Sequence, residues 1–144
     1  MKYTVSTIIN KPIDVVVELF DNEENMFEWM EGLKSVDHLE GEKGKAGAKS
    51  MMKFELGKRK MEIVETILES NLPERMVTTY ASKGVNNIIF TKMEAQSDNT
   101  TKYIAEQEFK FKGLMKLMGW LMPGAFKKQS QKYLEDFKKF AESN

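Results

Sequence analysis

The sequence predicts an α+β fold in which a seven-stranded antiparallel sheet carries its helices on one side. Three observations predict it. Six segments between residues 34 and 112 alternate in polarity and are separated by short stretches of turn chemistry, which makes successive strands antiparallel. Two short stretches of helical spacing separate these strands from an earlier one at the N-terminus. From Gly113 onward the apolar period changes from 2 to 3.6, the mark of a terminal helix.

Each element can be justified in order. Tyr3, Val5 and Ile9 alternate with polar residues as far as "NKP", predicting a first strand over residues 3–9. Pro12 suits the first turn of a helix, Asn10 can cap it, and Val15, Val16, Leu19 and Phe20 form its apolar stripe. "DNEENMFEWMEGL" offers Asp21 or Asn22 as a cap, Met26, Phe27, Trp29 and Met30 as apolar members and Gly32 as the stop of a second short helix. Strands follow over residues 34–39, 48–56, 59–69, 76–82, 85–95 and 101–112. The intervening "EGEKGKAG", "LGKR", "SNLPER", "SKGVNN" and "QSDNTT" all read as turns. The remainder is expected to be one long helix, bent at "MPG" because Pro123 removes a helix hydrogen bond. In that reading Leu114, Leu117, Met118 and Leu121 face inward, while Met115, Trp120 and Met122 lie on other faces.

Composition narrows the function. A chain of 144 residues with no repeats or linkers is expected to form one domain, residues 1–144, and a globule of that size buries roughly two thirds of its unfolded surface. The 22 basic and 22 acidic residues cancel, so nothing electrostatic points to nucleic acid. Without cysteine there is no disulfide framework or thiolate, and a single histidine, His38, leaves little from which to build a metal site or a Ser-His triad; no cofactor is indicated. The N-terminal residues lack a continuous apolar core, so a cytoplasmic location is the default. "GLMKLMGWLMPG" spans only about a dozen residues against the roughly 20 that cross a bilayer, so no transmembrane segment is expected.

"INKPIDVVVELFDNEENMFEWMEGL", "ETILESNLPERM" and "PGAFKKQSQKYLEDFKKFAE", in that order and spacing, resemble the polyketide cyclase and lipid-transport superfamily (START-like, Bet v 1-like, SRPBCC), over essentially the whole chain. The resemblance implies a helix-grip fold, its sheet curved around the long C-terminal helix with a cavity between them. Members of the family bind lipids, sterols, quinones and polyketides, and a few catalyse. The resemblance also implies that Trp29 packs the short helices against the sheet and that the loop "EGEKGKAGAK" closes over the cavity mouth.

Within such a fold the alternation of residues 101–112 turns Tyr103, Ala105, Gln107, Phe109 and Phe111 inward. Gln107, an amide among aromatics, suits one polar group of an otherwise apolar ligand, although a neighbouring residue or buried water would satisfy it equally. On residues 48–56 the even positions face inward, making Phe54 a cavity wall. Residues 59–69 mix parities, which predicts a bulge or burial on both faces and leaves Glu65 or Thr66 to point inside. A carboxyl there would have a raised pKa and could move protons, whereas most strand glutamates are merely solvated. Tyr80 offers a hydroxyl, the asparagines at 86 and 87 read as turn formers, and His38 reads as an exposed residue near a strand end.

The apolar start of the terminal helix keeps three readings open: packing on two sides, a ligand gate built partly from Met118 and Leu121, or a surface that meets a second copy or a membrane through Trp120. The favoured function is non-enzymatic binding of a small hydrophobic molecule (lipid, isoprenoid or quinone, or polyketide-like) by Phe54, Glu65, Tyr80, Gln107, Phe109, Met118 and Leu121. The alternatives are a cyclase or dehydrase in which Glu65, Tyr80 or Gln107 polarises a carbonyl or moves a proton, and an interaction module.

Overall fold

Val5 and Ile9 are fully enclosed while their polar neighbours meet solvent, and the same alternation, repeated seven times, curls the chain into a single antiparallel sheet. The computed structural model describes residues Met1–Asn144. Strand β1 (Lys2–Ile9) is followed by helix α1 (Ile13–Asp21), a 3-10 turn (Glu23–Asn25) and the single-turn helix α2 (Met26–Trp29). Strands β2 (Leu33–Glu40), β3 (Lys49–Leu56), β4 (Arg59–Asn71), β5 (Arg75–Ser82), β6 (Val85–Ser97) and β7 (Thr100–Phe111) come next, then helices α3 (Met115–Leu121) and α4 (Pro123–Glu142). The sheet order is β1-β7-β6-β5-β4-β3-β2. The six later strands therefore form a meander, and α1 and α2 carry the chain from one edge of the sheet to the other. The predicted fold class is the one observed.

Helix α4 does not lie over the middle of the sheet but along its β1–β7 edge, held at two places. Towards its C-terminus Leu134, Phe137 and Ala141 are buried with Val5, Ile9, Val16, Trp29, Met93, Tyr103 and Ala105. The Phe137 ring meets Phe20, Trp29 and Tyr103 edge-on, with centroids 5.1–5.7 Å apart. Towards its N-terminus Phe126 packs on Phe109 and Phe111, and the Tyr3 hydroxyl donates to the Phe126 carbonyl at 2.9 Å and lies 2.6 Å from Ser130 Oγ. Between these holdfasts the helix and the curled strands β3–β5 stand apart.

Several expectations are refined. Asn10 does not cap α1, whose N-cap position is Pro12; the Asn10 N–H donates to Glu142 of α4 instead. Asn22, one of the two proposed caps, accepts from Glu24 N–H at 3.0 Å, but the helix behind it is only the 3-10 turn and one α-turn. The expected irregularity of β4 is a bulge between Ile67 and Glu69, which leaves Met61, Ile63, Glu65 and Ile67 on the concave face.

The largest departure is in the terminal helix, which is broken rather than bent. Met122 adopts φ −132°, ψ 51°, outside the helical region, and Pro123 has no N–H to return to the Gly119 carbonyl. Released from α4, the α3 turns rotate independently. Leu114, Leu117 and Leu121, expected to face inward, are 87%, 54% and 58% exposed. Met118 lines the hollow as expected and Met115 and Met122, expected on other faces, line it too, Met118 and Met122 at its open rim with 43% and 50% exposure.

Candidate functional site

The space between α4 and the strands is an open-mouthed hollow of about 1790 Å³. Its closed end is the aromatic cluster of Phe20, Trp29 and Tyr103 with Leu134 beneath. Its far end is bordered by Val85, Phe109, Phe126 and the α3 methionines. Most of the lining is apolar, contributed by alternate residues of the strands, for example Met52, Phe54 and Leu56 on β3 and Met61, Ile63 and Ile67 on β4.

Strand register aligns several of the polar groups on this wall into a band. Ser50 of β3 pairs with Glu65 of β4, Glu65 with Tyr80 of β5, and Tyr80 with Asn87 of β6, all on the concave face. Gln107 of β7, 5% exposed, pairs with Ile89, two residues along from Asn87. Cross-strand neighbours on one face stand about 5 Å apart, so the row runs over β3 to β6 and steps diagonally from Asn87 to Gln107 on β7. It contains two hydrogen-bonded pairs. The Tyr80 hydroxyl donates to Glu65 Oε2 at 2.7 Å, and Asn87 Nδ2 donates to Gln107 Oε1 at 3.0 Å and to the Glu108 carbonyl at 3.3 Å.

Electrostatics follow from this enclosure. Burial raises the Glu65 pKa because the charged form loses hydration; the Tyr80 hydrogen bond partly opposes the shift and the negative charge of Glu23 adds to it. Tyr80 is pushed well above the usual phenol range, by burial first and then by Glu65, which favours the protonated donor. Burial likewise raises Tyr103 at the closed end and Tyr133 on α4. The band thus presents a carboxyl inclined to keep its proton, a phenol that always keeps its own, and two amides. Such a set can orient and hydrogen-bond an oxygen-bearing group, and the carboxyl can give or take a proton.

Of the residues singled out from sequence, Phe54, Glu65, Tyr80, Gln107, Phe109 and Met118 all line the hollow. Phe109 does so with one side of its ring already engaged by Tyr3, Phe111 and Phe126. Leu121 does not belong with them: the break at Met122 leaves it on the outer side of α3. Thr66 is not in the lining. His38 is exposed, its Nε2 2.6 Å from the Gly41 carbonyl at the end of β2. Trp29 is buried and serves both as packing between the short helices and α4 and as part of the wall, with its indole N–H unpartnered. Lys43 and Gly44 of the glycine-rich loop reach the rim of the hollow.

Sequence reasoning missed Asn87. Read as a turn former, it lies inside β6, and the parity of Val85, Asn87, Ile89, Thr91 and Met93 is the signal that could have placed it inward. It also missed Ser50, Thr78 and Thr91, which are buried small polar residues on the concave face.

Residues 1–142 match the family model described as "Polyketide cyclase / dehydrase and lipid transport". No curated protein sequence matches the chain. Among solved structures, an aromatase/cyclase, Zhui, from Streptomyces sp. R1128 is similar at TM-score 0.80 and 10% identity, over 99% of this chain and 93% of that one. Ara h 8.0201 is similar at TM-score 0.79 and 15% identity, over 100% and 99% of the two chains. A truncated norcoclaurine synthase from Thalictrum flavum is similar at TM-score 0.73 and 8% identity, over 97% and 92%. At such identities the likeness is one of fold.

Proposed function

Because the chain belongs to the polyketide cyclase / dehydrase and lipid transport family, we propose that it binds a small hydrophobic molecule (a lipid, an isoprenoid or quinone, or a polyketide-like compound) in the hollow between the sheet and α4. The observation that carries this reading is the large hollow with a mostly apolar lining and a polar band on its concave strands. A ligand carrying ten or so methylenes would gain several kcal/mol at about 0.8 kcal/mol per CH₂, enough for micromolar binding. One oxygen-bearing group on Tyr80, Asn87 or Gln107 would fix its orientation.

Organic extraction of the purified protein followed by mass spectrometry is expected to recover an apolar molecule. Titration with a fatty acid, an alkylphenol and a short-chain ubiquinone is expected to give saturable binding to at least one. Ile89→Trp, which fills the hollow between Asn87 and Thr91 without touching the outer surface, should abolish it. Failure to recover any molecule, together with no saturable binding of the three probes, overturns the reading.

The Tyr80–Glu65 pair favours a second reading, a cyclase- or dehydrase-type enzyme in which Glu65 moves a proton on the bound molecule. A turnover that survives unchanged in Glu65→Gln would remove the proposed base.

A further inference from the structure

Helix α3 has two dissimilar sides, and only one of them faces the hollow. Met115, Met118 and Met122 line the hollow, whereas Leu114, Leu117, Trp120 and Leu121 do not. Six of the ten large apolar residues exposed anywhere on the molecule lie between Leu114 and Met122, and Trp120 is 78% exposed. The surrounding charge is as uneven. Although acidic and basic residues balance over the chain, no aspartate or glutamate occurs between Glu108 and Glu135, where there are six lysines. Lys112, Lys116, Lys127 and Lys128 flank the apolar knuckle, are exposed and form no ion pair; Lys83, beside the Gly84 turn that meets Met115, is also exposed and unpaired.

We propose that α3 and its lysines form a docking surface for an anionic lipid membrane, with Trp120, Leu117 and Leu121 entering the headgroup layer. The chemistry selects lipid over an acidic protein partner. The apolar side chains protrude as a knuckle rather than form a groove, and a tryptophan with a lysine surround is suited to the boundary between hydrocarbon and phosphate. Neither signal alone gives firm association, but apolar insertion and a basic patch together do. Docked this way, α3 puts the open end of the hollow against the lipid. Use of that position to load or release a ligand rests on the binding reading above; the docking itself does not.

The test is flotation of the intact protein with vesicles of phosphatidylcholine alone or of equal parts phosphatidylcholine and phosphatidylglycerol. Association is expected only with the anionic vesicles and should be reversed by high salt. Brominated lipid should quench Trp120, leaving the other tryptophan, buried Trp29, shielded. Lys127→Glu/Lys128→Glu should weaken partitioning by about tenfold or more, and Lys127→Arg/Lys128→Arg should preserve it. Trp120→Ser should weaken it without shifting the unfolding temperature, because the side chain is already in water. Ile89→Trp should float as the unaltered protein does, which separates this proposal from ligand binding. The proposal is overturned by no association with the anionic vesicles, by equal association with both kinds, or by a dimer in sedimentation that Trp120→Ser abolishes.

Discussion

Glu65 and Tyr80 face each other across β4 and β5 in a setting where charge is costly, and that gives a signed expectation. The folded-state pKa of Glu65 is raised by burial above its unfolded value of about 4.3, so the folded protein holds this proton more tightly than the unfolded chain. The contribution of Glu65 to stability is therefore fully present below the unfolded value and is lost as pH rises through the folded one. Denaturation free energies of the protein and of Glu65→Gln, measured from acid to neutral pH, should diverge in that window, with the variant gaining relative to the parent as pH rises. A difference that stays constant with pH would mean that Glu65 ionises as freely as a surface carboxylate. This residue was legible only as one of two candidates. The mixed parity of Met61, Ile63, Val64 and Leu68 signalled a bulge but not its position; the shift between Ile67 and Glu69 decides for Glu65 over Thr66. Asn87 was less legible still, because "GVNN" carries turn chemistry and the strand extends through it.

Helix α3 shows how a single backbone break redistributes an element's faces. Its docking rests on a close approach: a Cβ on Gly119 would stand 2.6 Å from the Phe111 ring, so only glycine lets the helix lie against the end of β7. The turn that leads into it needs φ +61° at Gly113, again a glycine conformation. Gly119→Val is expected to lift α3 from Phe111 and to destabilise the protein by about 1–3 kcal/mol. Hydrogen exchange should accelerate over residues 114–122 and stay unchanged in β1 and in the second half of α4. Exchange that accelerates equally everywhere would contradict the view of α3 as a separately mounted element. The methionine and leucine faces of this segment could not be assigned from periodicity, since nearly every position from Leu114 to Met122 is apolar and any phase fits.

At the scale of the whole molecule, one end is filled and the other open. Phe137 is fully buried among Phe20, Trp29, Tyr103 and Phe140, whereas Phe126, at the other holdfast of α4, is only half-buried on Phe109 and Phe111. Phe137→Ala should therefore cost about 3–5 kcal/mol, read as a lowered denaturant midpoint at unchanged slope, and Phe126→Ala distinctly less. Equal losses would mean that the two ends of α4 are packed alike and would undercut the hollow as a feature of the fold. No helix is long and apolar enough to cross a membrane.

The sequence alone determined the seven strands, the antiparallel meander of the last six, the inward parity of β3 and β7 and the helical character of the C-terminal segment, because each depends on local period and on turn residues close in the chain. Tertiary structure decided where α4 comes to rest, which side of α3 meets water and which polar residues stand in one row. Those outcomes depend on register between distant strands and on packing at two aromatic holdfasts, and neither quantity is written in the spacing of neighbouring residues.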